Sequence, residues 1–193
     1  MIHSVRFTRV LDTNVIYPID IRDLLFWFAS YDLFTPKWSK HIFSEWENVM
    51  KRKGISDEEI KKRLNKAQLA FPDALVDNYE SLVNTLELPD EKDRHVLAAA
   101  IKTNANIIVM NNMKDFPKKY LASFGLTAKT SDDFITDTID LNTDVALEAF
   151  RALVLNRTNP NLDEFEILDR FRKNGLIDSA KARKEFNSLI SSS

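Results

Sequence analysis

The chain has 193 residues, of which 44% are hydrophobic and 29% charged, and its formal net charge is −2. This composition provides for one substantial core with a small appendage and excludes disordered, collagen-like and disulfide-stapled proteins. Because the chain contains no cysteine, a Cys-ligated zinc site and a thiol nucleophile are excluded as well.

The first two thirds of the chain alternate between predicted strands and predicted helices. We predict strands at residues 5–11, 33–36, 106–110 and 126–129, and helices at residues 21–30, 39–52, 55–71 and 90–103. Residues 76–86 fit either a strand or a short helix. Alternation of this kind favours an α/β fold with a parallel sheet and helices on both faces.

From about residue 136 the pattern is helical only. We predict helices at residues 143–155, 162–173 and 179–189, with Asn161 as an N-cap and Gly175 as a terminator of the second. The sequence thus predicts a domain at residues 1–135 and a C-terminal helical extension at residues 136–193. Residues 1–9 lack the apolar run of a signal peptide, and no stretch approaches the roughly 20 apolar residues of a membrane span. We therefore expect a cytoplasmic protein that does not enter a membrane.

Four acidic residues stand at places where chemistry is expected. Asp12 ends the first predicted strand and Asp115 follows the strand at residues 106–110, and parallel sheets bind ligands beyond the carboxyl ends of their strands. Asp93 lies in the first turn of a predicted helix, and Glu45 lies within a helix that carries an apolar stripe. The four acids together are the candidate site.

Each acid also has a structural interpretation, and the sequence leaves these alternatives open. Asp12 would cap the next helix or form an Asx-turn. Asp93 would be the third residue of a capping box headed by Asp90. Asp115 would be a turn acid, and Glu45 a solvated helix residue.

If the four acids converge, their mutual repulsion has to be relieved. Two like charges about 4 Å apart repel by on the order of 4 kcal/mol at an effective dielectric constant of 20. Such a cluster either binds protons or binds cations. Ligands that are all oxygen select Mg²⁺ or Mn²⁺ over zinc, and carboxylate-held pairs of such ions hydrolyse phosphodiesters.

At these residues the chain resembles the PIN-domain family, in particular the VapC-like toxins of toxin–antitoxin systems. The resemblance covers roughly residues 1–131 and also extends into the tail. It rests on four segments, which are Val10-Leu11-Asp12-Thr13-Asn14-Val15, Ser44-Glu45-Trp46, Leu88-Pro89-Asp90 with Asp93-Arg94-His95-Val96, and Ile108-Val109-Met110-Asn111-Asn112-Met113-Lys114-Asp115. Met110 departs from the family, which often has Thr or Ser at this position.

The resemblance implies a three-layer α/β/α fold around a central parallel sheet and an endoribonuclease that depends on Mg²⁺ or Mn²⁺. It places the acidic metal site on Asp12, Glu45, Asp93 and Asp115, with Asp90 as an outer carboxylate. Asn14 and Asn112 would orient ligands or water. It further implies a protein antitoxin as partner. Apolar tail residues with helical spacing would pack against the core or, where exposed, form a docking surface for an antitoxin or a second copy of the chain; these are Phe150, Leu153, Phe165, Leu168 and Phe171.

Other features have both a functional and a structural interpretation. A basic stretch would guide RNA to the site through phosphate contacts or would be a solvated helical hairpin, and it includes Lys51, Arg52, Lys53, Lys61 and Lys62. The three tryptophans would stack bases or pack in the core. His95 is expected to be a packed histidine and not a metal ligand, because it stands two residues after Asp93 and residues two apart on a helix do not share a face. His3 and His41 offer no partner at ligand spacing.

The leading hypothesis is therefore an endoribonuclease that cleaves structured RNA by metal-activated water and is inhibited by an antitoxin. The segment that begins at Asp12 also resembles the first motif of haloacid-dehalogenase-like phosphatases. That chemistry needs a second Asp as general acid where this chain has Asn14, which cannot protonate a leaving group. A catalytically inactive PIN-like interaction module is the non-enzymatic alternative.

Overall fold

A computed structural model describes residues 7–158 and 160–176. These residues form two compact units. The first unit contains the described residues up to Tyr17 together with Phe34–Lys129. The second unit contains Pro18–Leu33 together with the described residues from Thr130 onward. The predicted domain boundary at residue 135 stays a prediction, and the predicted helix at residues 179–189 lies outside the described residues.

The first unit is built on a five-stranded parallel sheet. Its strands are β1 (Thr8–Leu11), β2 (Thr35–Ser39), β3 (Leu75–Val76), β4 (Ile107–Val109) and β5 (Thr127–Lys129). Their order across the sheet is β3-β2-β1-β4-β5, with all neighbouring pairs parallel. The predicted α/β class and parallel sheet are confirmed.

Six α-helices belong to the first unit. They are α1 (Thr13–Ile16), α3 (Lys40–Arg52), α4 (Asp57–Ala70), α5 (Glu80–Val83), α6 (Arg94–Lys102) and α7 (Lys118–Ala122). In addition, Glu91–Asp93 and Met113–Asp115 are single 3₁₀ turns. The region that fits strand or helix by sequence contains both, since β3 is followed by α5.

The sheet and α6 form the core that positions the site. Val10, Leu11, Ile108 and Val109 are fully buried on the two central strands. The run Val96–Ala100 in α6 is fully buried as well, and three of its five residues are alanine, which permits close packing on the sheet. Trp38 and Trp46 have exposed fractions of 0% and 1%, so both are core residues and base stacking by them is excluded.

The strand order reverses at β1, which lies between β2 and β4. Leu11 at the end of β1 is in register with Val109 at the end of β4. Ligand sites of open parallel sheets lie at such a switch point, beyond the carboxyl ends of the strands. Residues that follow β1 and β4 therefore share the edge where a site is expected.

The second unit is helical throughout the residues that are described. It contains α2 (Ile19–Ser30), α8 (Ser131–Leu141), α9 (Thr143–Asn156) and α10 (Glu164–Lys173). The aromatic spacing in the tail is that of packed helices, since Phe150 of α9 and Phe171 of α10 are buried with ring centroids 6.2 Å apart. None of the described helices is long and apolar enough to cross a membrane.

Two predicted features of the elements need correction. The second strand begins at Thr35 and continues to Ser39, because its register with β1 and β3 extends through Lys37 and Trp38. The N-cap of α10 is Asp163, not Asn161, and Asp163 forms a reciprocal capping box with Glu166. The predicted terminator is confirmed, since Gly175 has a φ of +75° directly after this helix.

Candidate active site

Asp12 occupies the position between β1 and α1, and its exposed fraction is 7%. It stands at the N-cap of α1, yet its carboxylate makes no capping hydrogen bond. The Asn14 Nδ2 instead donates a hydrogen bond to Asp12 Oδ2. The Asn14 Oδ1 accepts a hydrogen bond of 2.9 Å from the backbone N–H of Asn111, which follows β4. Asn14 thus ties Asp12 to the end of the neighbouring strand.

Glu45 lies on α3 and is half-buried. Its Oε2 accepts a hydrogen bond of 2.6 Å from Thr13 Oγ1. Its Oε1 lies 3.6 Å from His41 Nε2 and 3.6 Å from His95 Nε2. Thr13, the residue after Asp12, therefore holds Glu45 beside Asp12. Glu45 is not a solvated acid on the surface of its helix.

Asp93 ends a 3₁₀ turn and directly precedes α6, and its carboxylate makes no capping hydrogen bond. The capping function belongs to Asp90, whose Oδ1 accepts a hydrogen bond of 2.9 Å from the backbone N–H of Lys92. The capping box in which Asp93 would be the third residue is therefore not formed, because Asp90 accepts from Lys92 and Asp93 makes no capping hydrogen bond. The carboxylate of Asp93 is left to the cavity described next.

One open cavity of about 740 Å³ joins these residues. Its acidic lining consists of Asp12, Glu45 and Asp93, and its basic lining of Lys51 and Arg52. The remaining residues around it are Thr13, Asn14, Tyr17, Asn48 and Val49. Three elements that are far apart in sequence thus bring three acids and two cations to one place.

Burial and like charge shift the acids of this cavity. Burial raises the pKa of Asp12 to about 6, and the nearby charges of Glu45 and Asp93 add to the shift. Burial also raises the pKa of Asp93 to about 6, with contributions from Asp90, Asp115 and Glu45. Burial alone would raise the pKa of Glu45, but the combined effect of His95, Thr13 and His41 lowers it. Negative charge in this cavity is therefore only partly compensated by the protein.

Asp115 and Asn112 lie at the 3₁₀ turn that follows β4. The Asn112 Nδ2 donates a hydrogen bond to Asp115 Oδ2. Neither residue is among those that line the cavity, but the charge of Asp115 contributes to the raised pKa of Asp93. The structure thus places Asp115 in electrostatic range of the acidic set, at the edge of the sheet that Asp12 shares.

Residues 8–114 match the family described as "PIN domain", and residues 131–184 match the family described as "VapC50 C-terminal domain". The chain belongs to the PIN-domain family. The resemblance drawn from the motifs is confirmed, and the helical region after the PIN domain is an extension of the VapC50 type.

A curated relative of this PIN-domain chain is "Putative ribonuclease VapC50" of Mycobacterium tuberculosis. The two are 35% identical over 97 residues, which are 50% of this chain and 57% of that protein. The chain thus spans little more than half the length of this relative. No solved structure matches the chain.

The basic residues named from the sequence do not all reach the cavity of the PIN domain. Lys51 and Arg52 line it, whereas Lys53, Lys61 and Lys62 are exposed and are not among its lining residues. The Lys51 Nζ lies 2.6 Å from Glu47 Oε1, and Lys62 lies near Glu59. The part of the basic stretch nearest the acids is therefore the end of α3.

Sequence reasoning about the PIN domain missed two sets of residues. Thr13 and Asn48 contact or line the site, and the helical spacing of Asn48 three residues after Glu45 was a signal that could have found it. The expectation that His41 has no partner is wrong, because His41, Glu45 and His95 meet. His95 is buried and hydrogen-bonded to Ser39, as expected of a packed histidine, and its Nε2 also faces Glu45.

Proposed function

We propose that this chain is a metal-dependent endoribonuclease, the toxin of a toxin–antitoxin pair, that cleaves structured RNA. The observation that carries the proposal is Asp12, a buried carboxylate at the carboxyl end of the central strand whose pKa is raised to about 6. It shares a cavity with Glu45 and Asp93. A folded protein keeps several acids in one partly buried place when a cation compensates them.

The residues present fit a hard divalent cation. Asp12, Glu45 and Asp93 present carboxylate oxygens, Asp115 acts on Asp93 by its charge, and Asp90 stands outside as a further carboxylate. All-oxygen ligation is what Mg²⁺ and Mn²⁺ prefer. When bound, such an ion supplies positive charge and Lewis acidity toward the phosphate and the attacking water.

The other side chains hold the acids in place. Asn14 fixes one oxygen of Asp12 and is itself held by the Asn111 backbone, so Asp12 is pre-oriented. Thr13 fixes one oxygen of Glu45. Asn112 binds the carboxylate of Asp115. Outer hydrogen bonds of this kind orient ligands and typically contribute about 10- to 100-fold in metal affinity or activity.

The substrate class follows from the cations beside the acids. Lys51 and Arg52 line the same cavity as Asp12, so a polyanion is attracted to a site that would otherwise repel it. Lys53, Lys61 and Lys62 would extend this track along the surface. The name of the curated relative designates that protein a ribonuclease, which supports RNA over other phosphodiesters here.

The similarity to VapC50 also supports an antitoxin as the protein partner of this chain. The extension of the VapC50 type contains exposed apolar side chains, with Leu155 and Phe165 exposed to 81% and 57%. We propose that a protein antitoxin binds the chain in the cytoplasm and that a homodimer is a second assembly to test.

One assay separates the nuclease from the alternatives. The protein is incubated with RNA and, separately, with a phosphate monoester, in Mn²⁺ or in EDTA. We expect RNA cleavage that requires Mn²⁺ and is lost in Asp12→Asn and Asp93→Asn. The exposed carboxylate Asp73 lies elsewhere in the first unit, so Asp73→Asn is the matched control and should cleave normally.

The outcomes that contradict the proposal are equally distinct. Turnover of the monoester without RNA cleavage would indicate the phosphatase alternative. No turnover of either substrate would favour an inactive interaction module. Full cleavage by Asp93→Asn would remove Asp93 from the site while leaving Asp12 in place.

A further inference from the structure

A group of three side chains next to the acidic cavity combines imidazole and carboxylate ligands. His41 and Glu45 are four residues apart on α3, so they share one face of the helix. His95 reaches the same point from the first turn of α6. Only Glu45 belongs to the acidic set described above. We propose that His41, Glu45 and His95 form a second metal site, selective for Zn²⁺ and related cations.

The distances are those of ligands around a shared ion and not those of direct hydrogen bonds. The Glu45 Oε1 lies 3.6 Å from the Nε2 of both histidines, which is beyond the usual 2.7–3.2 Å of an N–H···O hydrogen bond. One ligand atom from each residue lies within 4.8 Å of the other two. Ligands about 2.0–2.1 Å from a tetrahedral Zn²⁺ stand roughly 3.3 Å apart, so small side-chain movements complete the site.

The buried histidine is already oriented toward this point. The Nδ1 of His95 lies 3.2 Å from Ser39 Oγ, and both residues are buried. Ser39 Oγ is fixed in turn by a hydrogen bond of 3.1 Å from the backbone N–H of Ile42. When His95 Nδ1–H donates to Ser39, its Nε2 lone pair is left for a metal. A second partner of this kind is the usual support of a metal-binding histidine.

The mixture of ligands determines which cation this site takes. Imidazole suits Zn²⁺ and its neighbours in the first transition row, whereas Mg²⁺ prefers oxygen ligands alone. Three protein ligands are one short of a closed tetrahedral zinc site. The side chain of His41 is 56% exposed, so a fourth position is open to water or to an incoming group.

Glu45 links this site to the acidic cavity, because its Oε2 is held by Thr13 and its Oε1 faces the two histidines. The link to the nuclease rests on the proposed function, but binding at the histidines does not. The inference is therefore tested by binding alone, with no RNA present.

The test uses the full chain and Co²⁺ as a spectroscopic substitute for Zn²⁺, in a large excess of Mg²⁺. We expect stoichiometric binding with the visible absorption of a low-coordinate cobalt site, and displacement of Co²⁺ by Zn²⁺. His41→Ala should weaken binding by more than about 100-fold, a loss beyond that of a supporting residue. Because His41 is exposed, this variant should fold, as circular dichroism checks. His95→Gln is the second variant.

Two controls make the outcomes decisive. His3→Ala removes the chain's third histidine and should leave Co²⁺ affinity unchanged. Asp12→Asn should also bind Co²⁺ normally, even if it no longer cleaves RNA, so a failed nuclease assay does not count against this site. Unchanged affinity in folded His41→Ala, loss of binding in Asp12→Asn, or displacement of Co²⁺ by Mg²⁺ would each overturn the proposal.

Discussion

Asp12 in the first unit and Asp20 in the second are both 7% exposed, but their surroundings are opposite. Asp20 accepts hydrogen bonds of 2.9 Å from Arg157 and 3.1 Å from Asn174, and Arg170 lies 3.6 Å away. The carboxylate of Asp12 accepts a hydrogen bond from Asn14, and the acids Glu45 and Asp93 raise its pKa further.

This difference separates a structural carboxylate from one that is kept for a ligand. A buried carboxylate with arginine partners is neutralised within the protein, and removing a partner leaves an unpaired buried charge. A buried carboxylate among other acids is a stability cost until a cation or a proton arrives. The two aspartates should therefore respond in opposite ways to the same isosteric substitution.

The largest effect is expected when that substitution is compared at the two positions. Asp12→Asn should lower RNA cleavage by at least about three orders of magnitude, equivalent to roughly 4 kcal/mol of transition-state stabilisation, while the metal-free protein loses no stability. Asp20→Asn should cleave RNA normally below its melting temperature but unfold more easily. Cleavage rates and urea unfolding in EDTA check both. Equal loss of stability in Asp12→Asn and Asp20→Asn would contradict the claim that Asp12 is kept for a ligand and Asp20 for structure.

The next effect concerns the partner of Asp20 alone. The guanidinium of Arg157 also lies 2.9 Å from Asp23 Oδ2, so it serves two aspartates and is itself 10% exposed. Arg157→Met should lower the free energy of unfolding by about 3 kcal/mol, because the buried Asp20 is then left with the more distant and more exposed Arg170 as its cation. Asp23 keeps its ion pair with Arg22. Denaturant unfolding measures this. A change below about 1 kcal/mol, the median of surface ion pairs, would mean that the network is solvated.

A smaller effect is expected in the pH dependence of stability without metal. The pKa of Asp12 is about 6 in the folded protein against an ordinary value of 3.8, so between these values the folded chain holds a proton that the unfolded chain releases. The contribution of Asp12 to stability is therefore fully present below about pH 4 and is lost as the pH rises through about 6, by up to roughly 3 kcal/mol. Asp93 adds a smaller share because it is half-exposed.

Urea unfolding in EDTA across this pH range, with wild type and Asp12→Asn side by side, measures the share of Asp12. The variant should show the flatter curve. Parallel curves would mean that Asp12 is not the group that titrates. Because Asn keeps the shape of the Asp side chain, a change in packing would not make the stability difference between wild type and variant depend on pH.

The smallest effect is expected for the cations. Arg52→Gln should raise KM by several-fold with little change in kcat, and it should reduce the salt dependence of RNA binding, because one phosphate contact is lost. Lys102→Gln is the matched control, since Lys102 is exposed at the end of α6 and is not among the residues that line the cavity. Equal effects in both variants would mean that RNA is attracted by the overall positive charge of the surface and not by specific phosphate contacts at the end of α3.

Much of the site was accessible to sequence reasoning because it depends on local rules. A buried strand that ends at Asp12 predicts a polar group at the carboxyl edge of the sheet, and parallel pairing brings the residues after β4 to the same edge. Helical spacing likewise puts Asn48 and Arg52 on the face of Glu45. These arguments need only periodicity and strand order.

The remaining parts depend on contacts between distant segments. His95 at the start of α6 meets Glu45 of α3 across 50 residues of sequence. The burial of Asp20 by Arg157 joins residues 137 positions apart. No periodicity signals such contacts, since they are set by how helices pack.

The most direct test of the central claim is the effect of Mg²⁺ on the unfolding temperature of wild type and Asp12→Asn at neutral pH. If a cation compensates Asp12 and its acidic neighbours, Mg²⁺ should raise the unfolding temperature of the wild type and of Asp73→Asn, and leave Asp12→Asn nearly unchanged. Equal stabilisation of wild type and Asp12→Asn by Mg²⁺ would contradict the claim that this buried carboxylate is kept for a metal.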